Sequence, residues 1–201
     1  MEDLTASHGA AAEALRSGGV VLLPTDTVYG IAVVASAPGA TARLFALKER
    51  SEGQPVAVLV ADRAQALALA DAPGDAALRL MERLWPGPLT LVVRRSPTAS
   101  SLELGGDPAT VGLRCPDHDL VRALATEVGP LATTSANRHG QPTPRTAAEA
   151  AASLVGPVDL VVDGGRLGSV ASTVVDLTGS EPKVLREGAV TVDHLHRALG
   201  R

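Results

Sequence analysis

Three pairs of polar residues in this 201-residue chain stand two positions apart, each just beyond an apolar or helix-like stretch. In extended backbone, residues two apart project to the same side, so each pair can act on one ligand. Lys48 and Arg50 come first. Ser51, Gly53 and Pro55 mark the end of the preceding helix, and beyond it two cations can converge on an anion such as a polyphosphate. The same two residues also suit plain compensation of a helix C-terminus. Ser135 and Asn137, with Thr133 in phase, offer hydroxyls and an amide fit for phosphate or ribose, or form an ordinary strand exit with asparagine in a turn. Thr25 and Thr27, with Tyr29 one alternation further, can hydrogen-bond a small polar ligand where the chain leaves a sheet, or can cap a polar turn.

Arg114, Ser172-Thr173 and Arg186 stand at the edges of strand-like runs, where a guanidinium can grip a carboxylate or phosphate with two bonds. His8, His118, His139, His194 and His196 show no metal-ligand spacing and read as solvent-facing, so no metal site is expected. Cys115, the sole cysteine, reads as a small buried hydrophobe and rules out an intrachain disulfide. Neither lysine follows a glycine, no Gly-x-Gly-x-x-Gly follows a strand, and Gly-x-Ser-x-Gly is missing. Glycine-cradle nucleotide sites and the serine-hydrolase elbow are thereby excluded, and any bound polyphosphate must be held otherwise.

The elements that position these residues follow from hydrophobic periodicity. Helices are expected over residues 7–16, 39–47, 62–70, 75–85, 117–127, 146–154 and 191–199. Strands are expected over 20–23, 31–35, 56–60, 89–94, 111–114, 131–134, 159–162, 173–177 and 184–185. Residues 96–108 and 137–145 are polar loops, and 164–168 form a glycine-rich turn. The alternation of strand and helix predicts an α/β fold, a mixed sheet flanked by helices, and connection lengths around residues 111–134 predict right-handed crossovers. One domain is expected, with no linker, repeat or further C-terminal domain.

Composition narrows the function. A net charge of −4 and three aromatic residues, Phe45, Tyr29 and Trp85, speak against a protein devoted to nonspecific nucleic-acid binding. Arginine dominates the basic positions; the lysines are Lys48 and Lys183 alone. An acidic N-terminus and short apolar runs predict a cytoplasmic protein without a membrane span.

In order along the chain, GGVVLLPTDTVYGIAV, LKERSEGQPVAVLV, LWPGPLTLVV, VGLRCP, ATTSANRHGQPTP, STVVDLTG and VLREGAV resemble the threonylcarbamoyl-AMP synthase (YrdC-like) family, in its short single-domain form. The resemblance runs nearly end to end, with a core of about residues 7–199. It implies a twisted mixed sheet with a concave basic cavity, and a nucleotidyltransferase that joins L-threonine, bicarbonate or CO2, and ATP into threonylcarbamoyl-AMP and pyrophosphate. The product would pass to a transferase complex that modifies tRNA. Carried residue by residue, the resemblance puts Lys48, Arg50, Thr133, Ser135, Asn137 and Arg186 on ATP, with Lys48 and Arg50 catalytic. Thr25, Thr27, Tyr29, Arg114 and Ser172 fall to threonine, and Mg2+ would ride on the phosphates. Ser51, Leu59 and Glu187 depart from the usual pattern. Two rival readings are a double-stranded RNA or ribosome-binding module of the same fold and a carbamoyl-transfer domain for another substrate.

Overall fold

The computed structural model describes residues 4–49, 51, 53–138 and 140–200, with side chains described from residue 8 onward; Arg50 and His139 lie outside the described residues. The chain runs α1 (Leu4–Arg16), β1 (Val21–Leu23), β2 (Gly30–Val34), α2 (Ala40–Lys48), β3 (Ala57–Leu59), α3 (Arg63–Leu69), α4 (Asp75–Leu84) and β4 (Leu89–Arg94). It continues β5 (Thr110–Arg114), α5 (Asp119–Val128), β6 (Leu131–Ser135), α6 (Ala147–Ala152), β7 (Leu160–Val161), β8 (Thr173–Asp176), β9 (Lys183–Arg186) and α7 (Val192–Leu199). The loop expected over residues 96–108 contains one 3-10 turn, Pro97–Ala99.

Each helix end carries its own local reason. Asp62 accepts the Gln65 amide ahead of α3, Thr146 and Glu149 form a reciprocal capping box on α6, and Thr191 accepts the His194 amide on α7. Helix α2 stops at Lys48 because Glu49 turns left-handed, at φ 51° and ψ 40°. Lys48 therefore leaves the last helical turn, one residue before the extended stretch that the sequence suggested.

Nine strands form one sheet in the order β7-β1-β2-β6-β3-β5-β4-β8-β9. The pairs β1–β7, β3–β5 and β4–β8 are parallel, and the other neighbours are antiparallel. The right-handed crossovers expected around residues 111–134 are not formed. β5 and β6 flank β3 on opposite sides and run opposite to each other, so β5–α5–β6 is not a parallel unit and the handedness rule has nothing to act on. Connection length gave no direction, because a ten-residue helix can return a chain either way along a sheet.

The two faces of the sheet differ in kind. One presents Ile31, Val33, Val58, Leu89, Leu91, Val93, Val111 and Leu113, packed with α2, α4, α6 and α7 in the main core. On the other, α1 and α5 cover one end through Leu15, Leu120, Val121 and Leu124 against Val21, Leu23, Ala32 and Leu131. Beyond that cover the same face carries Gly30, Ala57, Thr90, Gly112 and Thr133, residues too small or too polar to fill the space above them. Strict alternation along each strand produces this division.

Candidate functional site

Over that uncovered stretch the sheet floors a cavity of about 510 Å³, a size that suits a small-molecule ligand. Its floor comes from β2 to β6 and β8, and its sides from the turn after β1, the loop after β6, and the ends of β5 and β9. Among the described residues, the charged side chains that line it are Arg114 and Arg186, and no carboxylate does.

At one end Lys48 reaches in from the last turn of α2 and is 3% exposed. Its Nζ donates to Ser135 O, to Ser135 Oγ at 3.3 Å and to Asn137 Oδ1 at 3.2 Å. Ser135 Oγ in turn donates to Asn137 Oδ1 at 2.5 Å, and Asn137 Nδ2 donates to Arg138 O at 3.0 Å and Gln141 O at 2.8 Å. Lys48, Ser135 and Asn137 thus form one cluster from two elements far apart in sequence. Ser135 and Asn137 line the cavity and Lys48 backs them, while the amide of Asn137 shapes the loop that brings Gly140, Gln141 and Thr143 over the floor. Thr133 lines the floor as well and donates to Ile31 O at 3.0 Å.

At the other end, Thr25 and Thr27 lie 3.0 Å apart, hydroxyl to hydroxyl, but in a turn and not in extended backbone. Thr25 Oγ1 accepts from the amides of Thr27 and Val28 and donates to Val28 O, so the turn reading and the shared-face reading both hold. Arg114, at the end of β5, is 6% exposed and points into this turn. Its Nε donates to Gly87 O at 3.1 Å, one terminal nitrogen to Thr27 Oγ1 at 3.0 Å, and the other to Asp26 Oδ1 at 2.5 Å. Burial lowers the Arg114 guanidinium from its ordinary pKa, and Asp26 opposes the shift. Gly87 is placed by its own crowding: a Cβ there would lie 2.5 Å from Leu84 O.

Ser172 and Arg186 complete the wall. Arg186 is exposed as a residue, yet it docks its guanidinium on Ser172 O at 3.1 and 2.9 Å and on Ser172 Oγ at 3.2 Å, while Thr90 Oγ1 and Ser172 Oγ share a proton at 2.9 Å. Burial first, and the Arg114 charge second, lower the Arg186 pKa, which places both guanidinium groups within electrical reach of each other. Thr173 holds this corner from beneath, donating to Val190 O at 2.6 Å and accepting from the amides of Gly188 and Val190.

The cavity thus gathers Thr25, Thr27, Arg114, Thr133, Ser135, Asn137, Ser172 and Arg186, with Lys48 behind them. Tyr29, expected beside Thr25 and Thr27, does not line it. The turn breaks the alternation before residue 29, so the ring enters the core and its hydroxyl donates to Gly165 O at 2.7 Å and Asp163 at 3.1 Å, accepting from the Gly164 amide. His194 and His196 are solvent-facing as expected, whereas His8 and His118 are half-buried against α5 and the Asp26 turn. Asp26, Thr90, Gly112 and Gln141 were not singled out from sequence. Thr90 and Gly112 were detectable as the small or polar phase of strands whose other phase is aliphatic. Leu59 also lines the cavity, in register beside Arg114.

Among the described residues, no group of three or more His, Cys, Asp or Glu could hold a metal ion, and no helix is long and apolar enough to cross a membrane.

Known proteins share this fold. A Bacillus subtilis protein named threonylcarbamoyl-AMP synthase is 38% identical over 192 residues, which are 94% of this chain and 56% of its own. The crystal structure of P. abyssi Sua5 complexed with L-threonine superimposes with a TM-score of 0.89 at 34% identity, over 96% of this chain and 57% of that one. E. coli YciO superimposes with a TM-score of 0.84 at 29% identity, over 94% of this chain and 93% of its own. The chain thus spans little more than half the length of the first two. The Sua5/YciO/YrdC family model, described as "Telomere recombination", matches residues 13–188. That match takes in every cavity residue from Thr25 to Arg186, and the chain belongs to the Sua5/YciO/YrdC family.

Proposed function

We propose that the chain is an L-threonylcarbamoyladenylate synthase, which makes threonylcarbamoyl-AMP and pyrophosphate from L-threonine, bicarbonate or CO2, and ATP in the cytoplasm. The observation that carries the reading is one cavity with two chemically distinct ends and, among the described residues, only basic charge on its lining. The Lys48–Ser135–Asn137 end supplies a cation, a hydroxyl and an amide for the phosphates, with Arg50 assigned there on sequence grounds and Thr133 on the floor between. The Arg114 end supplies a guanidinium and the hydroxyls of Thr25, Thr27 and Ser172 for an amino acid, and Arg186 lies within reach of the nucleotide. In the reaction the threonine amine loses a proton and bonds to carbon from bicarbonate, with loss of water. A carbamate oxygen then bonds to the α-phosphorus as the bond to pyrophosphate breaks. No protein nucleophile is needed; the groups present hold the reactants together and stabilise charge growing on the leaving pyrophosphate. The cavity's donors do not fit a protein-held Mg2+, because no carboxylate among the described residues lines it. An ion accompanying ATP would ride on the phosphates. The adenylate would be passed to an acceptor such as a tRNA-modifying transferase.

The test is pyrophosphate release by the purified chain. Release is expected only when ATP, bicarbonate and L-threonine are all present, and Lys48→Ala should lower it by about 100-fold or more. Release that ignores threonine sinks the proposal and favours a different carbamoyl acceptor; tight, steeply salt-dependent binding of duplex RNA with no turnover favours an RNA-binding module.

A further inference from the structure

Asp26 has no place in the lining of the cavity, yet it makes a short, charged contact to a residue that does. Its carboxylate lies 2.5 Å from an Arg114 terminal nitrogen, with 13% of the Asp26 side chain and 7% of the Arg114 side chain exposed. A guanidinium has five N–H donors in a fixed plane. Three are spent here: Nε on Gly87 O, one terminal nitrogen on Thr27 Oγ1, and the other on Asp26. One hydrogen remains on each terminal nitrogen, available to an anion in the cavity that Arg114 lines. A single partner would let the plane pivot; three partners on two different turns fix it.

We infer that Asp26 is a positioning residue, which with Thr27 locks the Arg114 plane so that the guanidinium keeps one fixed orientation toward a carboxylate bound in the cavity. The inference deepens the synthase reading, and rests on it only for naming the carboxylate as that of the amino-acid substrate. Asp26 lies in the sequence between the two threonines that line the cavity, so one turn of four residues, Thr25 to Val28, supplies both lining hydroxyls and the brace behind the cation. An isolated buried arginine would be poorly suited to this task. Burial disfavours its charged form, and the Asp26 carboxylate offsets that cost. The acid is absent from the cavity lining, so it braces the cation without taking the place of a ligand there.

Two readouts separate this inference from the synthase reading. The first needs no substrate: the 15N signals of the Arg114 side chain report whether its terminal nitrogens rotate. They should be slow and resolved in the unaltered protein and in Asp26→Asn, which keeps an acceptor oxygen, and averaged in Asp26→Ala. The second is kinetic. Asp26→Ala should raise the KM for threonine by roughly 10- to 100-fold while the KM for ATP stays within about 2-fold, and Asp26→Asn should recover most of the loss. Asp26→Asn carries the test if the alanine variant does not fold. Resolved Arg114 signals in Asp26→Ala, an unchanged threonine KM, equal rises in both KM values, or an asparagine variant as impaired as alanine would each overturn the inference. Absence of threonine-dependent turnover in the unaltered protein counts against the synthase reading alone, and the Arg114 signals then decide the positioning.

Discussion

Replacing Thr173 by valine should unfasten one wall of the cavity at a measurable cost in stability. Thr173 is fully buried and its single hydroxyl serves three backbone groups: it donates to Val190 O and accepts from the Gly188 and Val190 amides. Valine keeps the shape and removes the oxygen. The Val190 bonds are buried, whereas the Gly188 amide is half-buried and within reach of water. Two buried groups left without partners cost about 1–3 kcal/mol each, so the loss should be about 2–6 kcal/mol. Thr173→Ser is the control, because it keeps all three bonds and loses one methyl, for about 1 kcal/mol. Urea unfolding of the three proteins measures both numbers. The functional consequence is larger than the energy suggests. Gly188 crosses directly over Ser172, where a Cβ would lie 2.2 Å from Ala171 O and 2.7 Å from Ser172 O, and Arg186 leaves that same corner to dock on Ser172. Freed from Thr173, the turn should carry Arg186 off the cavity wall and lower threonine-dependent turnover even where the protein remains folded. A valine variant within about 1 kcal/mol of the parent, or a serine variant as damaged as the valine one, would refute this account of the corner.

Gly112→Leu should do the opposite, removing activity while leaving stability in place. A Cβ at Gly112 meets Thr90, Ala57 and Val92 at 3.5–4.0 Å, ordinary contact distances, and anything longer must extend over the cavity floor. Pyrophosphate release should fall by about 100-fold or more with the unfolding midpoint nearly unchanged, and a leucine variant that retains full turnover would show that the ligand does not lie on the floor. Stability should also depend on pH through His118. Burial lowers its pKa from the usual 6.5, with Asp26 and Asp119 opposing, so below about pH 6.5 the unfolded chain binds a proton that the folded chain refuses. Stability should therefore decline as pH falls below about 6.5, and His118→Gln should flatten that decline; an unaltered slope in the variant assigns the effect to another group.

The order and types of the elements could be read from the chain because aliphatic alternation and glycine or proline stops are local signals. Residues 89–94 match β4 to the residue, and the neighbouring strands shift by one or two positions. What could not be read is direction and adjacency. Nothing in residues 117–134 says that β6 slots between β2 and β3, because that choice is made by ladders to strands a hundred residues away. The site divided in the same manner. Pairs two apart beyond a helix or strand were visible as Lys48, Ser135–Asn137 and Thr25–Thr27. Tyr29 was misplaced because the extension of alternation through residues 25–29 ignored a hydroxyl that closes its own turn. Asp26 was missed because its role exists only once Arg114, from β5, arrives at the turn.

The chain's net charge of −4 and the basic character of its cavity are not in conflict, because a ligand entering a concave site feels nearby charge far more than the total. Of the two guanidinium groups that line the cavity, Arg114 is partly neutralised by Asp26, while among the described residues Arg186 has no ion-pair partner and is depressed in pKa partly by Arg114 itself. Two like charges on one cavity wall therefore favour an anionic ligand. Anions should bind the cavity and stabilise the fold in proportion to their occupancy. Of two ligands of equal size, the one that brings negative charge to both ends should stabilise the chain more. A carbamate joined to an amino-acid carboxylate at one end and a polyphosphate at the other meet that demand, and a neutral amide analogue of threonine does not.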